Sequence, residues 1–155
     1  QREGLIDQFR PIAPCVCNLA CPMKLEVNAH HWCHFFAKPP VEAFTSSDWS
    51  RFSRELEIDI RSLPYSYLAL DSISLDSEPD NRSSSRVIGR TRQHKGYTNL
   101  LSCDRNGLNL YQLQKRDNPA LWKTIKKNKC GSLLTWTSID GDRICEGGPA
   151  NTGNH

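Results

Sequence analysis

The feature that most constrains this chain is a dense run of cysteines and histidines in residues 13–36. Three of the chain's five histidines lie there, together with four of its seven cysteines: Cys15, Cys17, Cys21 and Cys33. A hydrophobic core does not need so many soft ligands close together, whereas zinc and iron–sulfur clusters do. Pro14 and Pro22 disfavour a continuous helix, and a looped backbone can turn several thiolates toward one centre. The stretch therefore predicts a metal-binding loop.

Three kinds of chemistry compete for these cysteines. Disulfides are the least favoured, because the cysteine count is odd and Cys15 and Cys17 are too close for two independent bridges. A tetrahedral zinc ion would suit a Cys17/Cys21 pair completed by Cys33 and either His34 or His30. An iron–sulfur cluster takes four thiolates and tolerates wider spacing. Spacing alone favours the cluster and zinc about equally.

Charge is divided unevenly along the chain. Residues 40–80 carry nine acids and three bases, whereas residues 82–129 carry twelve bases and two acids. A basic block of this size is complementary to a polyanion, which favours RNA binding over a merely solvated face. The residues expected to contact RNA phosphates are Arg86, Arg90, Arg92, Lys95, Lys123, Lys126 and Lys127, with added hydrogen bonds or stacking from Ser84, Thr91 and Tyr97.

Periodicity and turn signals predict an α+β fold. Its parts are a small antiparallel β meander, short helices and the cysteine-rich metal-cluster loop. We expect a lead-in segment at 1–12, one domain at 13–140 with a mobile loop at 76–86, and an irregular tail at 141–155. The expected strands cover 64–75, 87–103, 108–114 and 133–139, with a turn at Asn106-Gly107.

Two helices are predicted from caps and apolar spacing. The first covers residues 47–57 and places Trp49, Phe52 and Leu56 on one face, which we interpret as core. The second begins at Asn118-Pro119, with Asn118 as the cap, and ends near residue 128.

Four motifs in a fixed order resemble a known family. They are Ala13-Pro14-Cys15 with Cys21-Pro22, then Trp32-Cys33-His34-Phe35, then SYLAL at 66–70, and RVIGRTRQHKGY at 86–97 followed by Cys103. Together they resemble the carboxy-terminal part of the methyltransferase-like proteins of the mitochondrial small ribosomal subunit and their bacterial relatives. The resemblance covers residues 11–116.

The resemblance implies a 4Fe–4S cluster held by Cys15, Cys21, Cys33 and Cys103. It also implies a structural or assembly component of the mitochondrial small ribosomal subunit, located in the matrix, with a plastid location less favoured. Its partners would be small-subunit rRNA and neighbouring ribosomal proteins, with no membrane partner. Cys17, Cys130 and Cys145 match no ligand position of the family.

The same resemblance bears on catalysis. Family members begin with a methyltransferase domain that binds S-adenosylmethionine through a glycine-rich loop, and no such loop is found in this sequence. We therefore expect no enzyme, and we expect the predicted strands to be the last strands of a methyltransferase-like sheet with an exposed edge. A separate chain or the ribosome would cover that edge. The alternatives are half of a split rRNA methyltransferase and a zinc-binding interaction module.

Overall fold

The computed structural model describes residues 2–72, 84–127 and 130–150, and these form an α+β fold dominated by strands. The described helices are α1 (Glu42–Thr45), α2 (Ser47–Glu55) and α3 (Pro119–Lys127), with short 3-10 turns at Arg2–Gly4, Pro22–Lys24 and Glu26–Asn28. The described strands are β1 (Arg10–Ala13), β2 (Phe35–Ala37), β3 (Leu63–Tyr65), β4 (Ala69–Asp71), β5 (Ser84–Gln93), β6 (Tyr97–Asp104), β7 (Gly107–Gln114), β8 (Leu133–Asp140) and β9 (Arg143–Pro149).

The last five strands close into a barrel in the order β5-β6-β7-β9-β8. The β5–β6–β7 part is the predicted antiparallel meander. Beyond it β9 inserts between β7 and β8, parallel to β7, and β8 returns to pair with β5. The expected exposed edge of a methyltransferase-like sheet is therefore wrong, because each barrel strand has a neighbour on both sides.

The barrel interior holds the hydrophobic core. Alternate residues of β6 point inward, so Thr98, Leu100 and Ser102 are buried. Leu121 and Ile125 of α3 join the same cluster and cover one end of the barrel. Its other members come from the surrounding strands: Val87, Leu113, Leu134 and Ile144. Trp136 packs at its margin and donates a hydrogen bond from Nε1 to Ser102 Oγ at 3.0 Å.

Three boundaries of the barrel strands differ from the sequence prediction. The single segment expected at 87–103 is two strands, β5 and β6, which form a hairpin around residues 94–96. The loop expected at 76–86 lies outside the described residues at 76–83, and its last three residues begin β5. The irregular tail expected at 141–155 contains β9, while residues 151–155 lie outside the described part. Gly147 falls in the tail that was expected to be irregular, but it belongs to β9. A Cβ there would lie 2.5 Å from the Thr135 carbonyl oxygen, so the close packing of the strands requires glycine.

The cysteine-rich loop is held between two small antiparallel sheets. β1 pairs with β4 before the loop, and β2 pairs with β3 after it. The strand expected at 64–75 is divided, because β3 and β4 have different partners; residues 73–75 lie outside the described residues. This arrangement brings both ends of the loop beside the barrel, where Gly89 N donates to the His34 carbonyl oxygen at 3.1 Å.

Both predicted helices form, but the face assigned to α2 is wrong. Ser46 caps α2 by accepting a hydrogen bond from Asp48 N, and Asn118 caps α3 by accepting from Leu121 N at 2.9 Å. Trp49, Phe52 and Leu56 were expected in the core but are 47%, 43% and 53% exposed. The reason is that α2 packs chiefly against the short helix α1, which is too small to cover its apolar face. No described helix is both long enough and apolar enough to cross a membrane.

Candidate functional site

A cavity between the cysteine-rich loop and the outer face of β5 and β6 is lined by five cysteines. Its volume is small, about 30 Å³. The five are Cys15, Cys17, Cys21, Cys33 and Cys103. The four cysteines implied by the family resemblance therefore face one space, although Cys103 lies on a barrel strand far from the others in sequence.

Local structure positions the loop cysteines. Cys15 follows β1 and Pro14, whose carbonyl oxygen accepts a hydrogen bond from Arg86 Nε at 3.1 Å. Cys21 directly precedes the turn Pro22–Lys24, and Asn28 Nδ2 fixes that turn by donating to the Pro22 carbonyl oxygen at 2.8 Å. Each thiol is therefore carried by backbone that is anchored nearby.

The other two ligand candidates are placed by strands. Cys33 lies two residues before β2, and the Ser66 hydroxyl donates to its carbonyl oxygen. Cys103 lies near the end of β6, where it is directly opposite Arg86 of β5. Residues directly opposite on neighbouring strands share a face, so the Arg86 guanidinium and the Cys103 thiol both project toward the cavity that they line.

Two arginines supply positive charge to the cavity wall. Arg2 Nε donates to Cys15 Sγ at 3.3 Å, and its Nη2 donates to the Leu19 carbonyl oxygen at 2.8 Å. Arg86 also lines the cavity. Two guanidiniums beside a group of thiols reduce the cost of gathering negative charge there, as deprotonated metal-bound cysteines require.

Burial makes these thiols poor anions on their own. Burial, with a smaller contribution from the neighbouring cysteines, raises the pKa of Cys33 to about 11 and that of Cys103 to about 12. Burial also raises the pKa of Cys15, although the Arg2 guanidinium opposes that shift. A bound metal centre would stabilise the thiolates directly, because coordination deprotonates a thiol.

The donor set distinguishes between the metal alternatives. Among residues 2–72, 84–127 and 130–150, no three His, Cys, Asp or Glu side chains are arranged to hold a metal ion. His34, one candidate for the zinc site, is not among the side chains that line the cavity; its Nδ1 lies 2.8 Å from the Trp32 carbonyl oxygen. The ligands of a 4Fe–4S cluster each bind a different iron, so they lie farther apart than the ligands of one tetrahedral ion. The lining contains five cysteines and no histidine, which favours an all-thiolate centre over the mixed Cys/His zinc site.

Two cavity residues lie outside the predicted cluster ligands. Cys17 was predicted only as a possible zinc ligand, although its position two residues from Cys15 was a signal for the cavity. Arg2 lies in the lead-in segment and carried no sequence signal. Cys130 and Cys145 are outside the cavity lining; the Cys130 thiol donates to the His34 carbonyl oxygen, and Cys145 belongs to β9.

The predicted RNA-contacting residues do not all share one environment. Arg86 is half-buried and donates to the carbonyl oxygens of Pro14 and Gly131, so its guanidinium is engaged inside the protein. Ser84 is buried, which is inconsistent with the RNA contact expected of it. The reason in both cases is that the first half of β5 is covered by the cysteine-rich loop and by β8.

The remaining cations are at the surface. Arg90 lies with its guanidinium carbon 4.2 Å from the centre of the Phe36 ring and bonds to the Ser62 hydroxyl. Arg92 follows on the same strand, and Lys95 lies in the loop between β5 and β6. Three exposed cations therefore lie on the second half of β5 and the loop after it. The exposed lysines of α3 are Lys123, Lys126 and Lys127.

Fold and site together define a small α+β protein in which a thiol-lined cavity is built against a closed β-barrel. Residues 1–135 match the family described as mitochondrial small ribosomal subunit Rsm22, and the chain belongs to that family. The matched region contains all five cavity cysteines and ends within β8. A comparison with curated proteins found no match. Family membership confirms the predicted resemblance and the mitochondrial, ribosome-associated location.

Proposed function

We propose that this chain is a structural or assembly component of the mitochondrial small ribosomal subunit that binds rRNA and holds a structural 4Fe–4S cluster. The ligands we assign are Cys15, Cys21, Cys33 and Cys103. The observation that carries the proposal is that these four thiols, from a loop and a distant barrel strand, line one cavity. Family membership supports the ribosomal part.

The cluster would act as a cross-link. When bound, it supplies metal–thiolate bonds that join the cysteine-rich loop to β6, and binding energy of this kind is also folding energy. The protein contributes the positive charge of Arg2 and Arg86 and the anchored backbone on either side of the loop. A role in stability, rather than in catalysis, follows from this placement between two parts of the fold.

The first experiment measures the cluster. The full chain is purified without oxygen, and iron, sulfide, zinc and visible absorption are determined. We expect about four irons per chain. Cys103→Ser should lose the cluster and unfold at a lower temperature, whereas Cys145→Ser, which replaces a half-buried barrel cysteine outside the cavity, should retain it.

Cys17→Ser decides which four of the five thiols are used. We expect this variant to retain the cluster, because Cys17 has no place in the family's ligand pattern. Loss of iron in Cys17→Ser with retention in Cys21→Ser would exchange those two assignments. If the purified chain contains one zinc per chain and no iron or sulfide, the site is a zinc site and the cluster assignment is wrong.

The second experiment measures RNA binding. Affinity for a small-subunit rRNA fragment should fall steeply with salt, because cationic contacts release counterions from phosphates. Replacing Arg90, Arg92 and Lys95 with alanine should flatten the log–log slope by about two units while leaving the visible absorption unchanged. A slope near zero for the unmodified chain would remove RNA binding and leave the basic block as a solvated face.

We propose that the chain is not an enzyme. The competing proposal, half of a split methyltransferase, requires S-adenosylmethionine to bind to the chain alone or with a second polypeptide that completes the domain. Calorimetric titration of S-adenosylmethionine into a purified ribosomal assembly intermediate that contains the chain tests this. Saturable binding that disappears when the chain is removed would favour the methyltransferase.

A further inference from the structure

The barrel has the strand order and helix position of the oligonucleotide/oligosaccharide-binding fold, the OB fold. Numbered from β5, the strands are connected in the order 1-2-3-5-4, strand 4 pairs back with strand 1, and α3 lies between strands 3 and 4. Barrels of this kind bind oligonucleotides on the outer face of strands 2 and 3 and on the loops between strands 1 and 2 and strands 4 and 5. Here those elements are β6, β7, residues 94–96 and residues 141–142.

The outer face of β6 and β7 carries the side chains that such binding requires. Tyr97 lies opposite Gln114, and Asn99 lies opposite Gln112, so four polar or aromatic residues share this face. The inward neighbours Thr98 and Leu113 are fully buried, which establishes the alternation. The outer face therefore offers amide groups for hydrogen bonds to bases and an aromatic ring for stacking.

An open groove lies at the Tyr97 end of this face. Tyr97, Gln112 and Gln114 line it together with three cations, Lys95, Lys115 and Arg116. No carboxylate of the described residues lines it. The nearby Asp117 is engaged chiefly by Arg143, whose Nε donates to its Oδ2 at 2.7 Å, and the Nε of Arg116 lies farther from its Oδ1, at 3.7 Å. The groove is therefore electrostatically complementary to a phosphate backbone.

Two stacked aromatic rings, those of His94 and Tyr97, lie beside the groove. The His94 and Tyr97 rings are 4.4 Å apart and inclined by only 10°. His94 is exposed, so an unpaired base can extend the stack. Stacking of this kind requires bases that are free of a duplex, because paired bases already stack on each other.

The cations of the groove continue onto α3. The ammonium nitrogens of Lys115 and Lys126 lie over the Trp122 ring, 5.4 and 5.2 Å from its centre. The positive surface therefore extends from the β5–β6 loop across the groove to the helix. This extended track suits a strand of several nucleotides rather than a single phosphate.

We infer that the groove on β6 and β7 binds single-stranded RNA, with bases stacked on His94 and Tyr97 and phosphates contacted by Lys95, Lys115 and Arg116. This inference rests on the proposed RNA-binding function and specifies its substrate class. It adds His94, Lys115 and Arg116 to the residues expected from the sequence, and it makes Tyr97 the central stacking group.

The test uses the full chain, purified without oxygen, and a fluorescent oligouridine of about 12 nucleotides, within the roughly 4–16 that one OB fold covers. We expect unlabelled single strand to compete and a blunt RNA duplex of equal length to compete at least ten-fold more weakly. Tyr97→Leu should weaken binding about ten-fold, whereas Tyr97→Phe, which keeps the ring, should bind like the unmodified chain. The matched control is Phe52→Leu, an exposed aromatic on α2.

The phosphate contacts are tested separately. Replacing Lys115 and Arg116 with alanine should reduce the salt slope by about one unit or more, and replacing Arg51 and Arg54 of α2 should leave it unchanged. Thermal unfolding of each variant shows whether the barrel is intact. If Tyr97→Leu alone unfolds at a lower temperature, its weaker binding reflects a fold defect, and His94→Ala then tests the stacking.

Two results would overturn the inference. If duplex and single strand compete equally, and Tyr97→Leu and His94→Ala bind normally, the groove is not a single-strand site while the proposed rRNA binding stands. If neither RNA form binds at any salt concentration, the proposed function and this inference fail together.

Discussion

Arg86 and Cys103 are directly opposite each other on β5 and β6 and line the same cavity. Arg86 also reaches beyond the strand pair, donating to the Pro14 carbonyl oxygen at 3.1 Å and to the Gly131 carbonyl oxygen at 2.8 Å. One side chain therefore connects the barrel, the cysteine-rich loop and the segment that precedes β8.

Removing this connection should destabilise the protein. Arg86→Ala leaves two carbonyl oxygens without their charged donor, which costs about 1–3 kcal/mol in the free energy of unfolding. Arg86→Lys should recover only part of that loss, because an ammonium lacks the planar fork of donors. Chemical denaturation measures both, with Arg105→Ala in the exposed β6–β7 turn as the control. Equal stability of Arg86→Ala and Arg105→Ala would show that the link contributes nothing.

Leu113 and Leu110 of β7 provide a matched pair for the barrel core. Leu113 is fully buried and Leu110 is 63% exposed. Leu113→Ala should lower the free energy of unfolding by about 2–5 kcal/mol, because the surrounding side chains cannot fill the space. Leu110→Ala should change it by less than about 0.5 kcal/mol. Similar losses in the two variants would contradict the alternation along β7.

Gly89 lies where the backbone conformation and a neighbouring ring leave no room for a side chain. Its φ is +64°, and an added Cβ would lie 2.9 Å from Nε2 of His34. The His34 ring stacks on Trp32, with the ring centres 4.4 Å apart, so displacing it would cost energy. We expect Gly89→Ala to cost about 1–3 kcal/mol.

Gly148→Ala is the control for that substitution. A Cβ at Gly148 meets no atom within 4 Å, and the change should stay within about 0.5 kcal/mol. Thermal unfolding compares the two variants. A Gly89→Ala protein as stable as Gly148→Ala would show that β5 and His34 rearrange freely.

The Asp117–Arg143 pair predicts a pH dependence. Hydrogen bonds from Arg143 hold the pKa of the Asp117 carboxyl below its usual 3.8. A depressed pKa in the folded state adds stability above the unfolded pKa, and that stability is lost as the pH falls through the folded value. The stability gap between the unmodified chain and Asp117→Asn should therefore be constant from neutral pH down to about pH 4 and shrink below it. Denaturant titrations at several pH values measure the gap, and a gap that widens in acid would have the wrong sign.

Local signals predicted local structure. The Asn106-Gly107 turn and the caps of α2 and α3 are each made within a few residues, so they could be identified from the sequence. The gathering of Cys15, Cys21 and Cys33 was indicated by their density, and Cys103 by the family motif.

Features that depend on distant partners were not predictable. The pairing of β9 with β7 joins Gln112 to Arg143 and leaves no trace in either segment alone. The apolar face of α2 is visible in its spacing, but spacing does not reveal whether anything covers it. Charge counting likewise cannot separate the guanidinium of Arg86, used internally, from that of Arg92, which is exposed.

The position of β9 also sets the order in which the barrel can assemble. The β5–β6–β7 meander uses contacts between neighbouring segments and needs no residue beyond 114. The parallel partner of Leu113 is Ile144, about thirty residues later, and both are fully buried only when β9 is in place. During translation the meander therefore exposes an open strand edge and an apolar interior until β9 arrives, and contacts of this range favour slow folding. We expect chaperones to bind the partly folded chain during that interval, because they recognise exposed apolar surface.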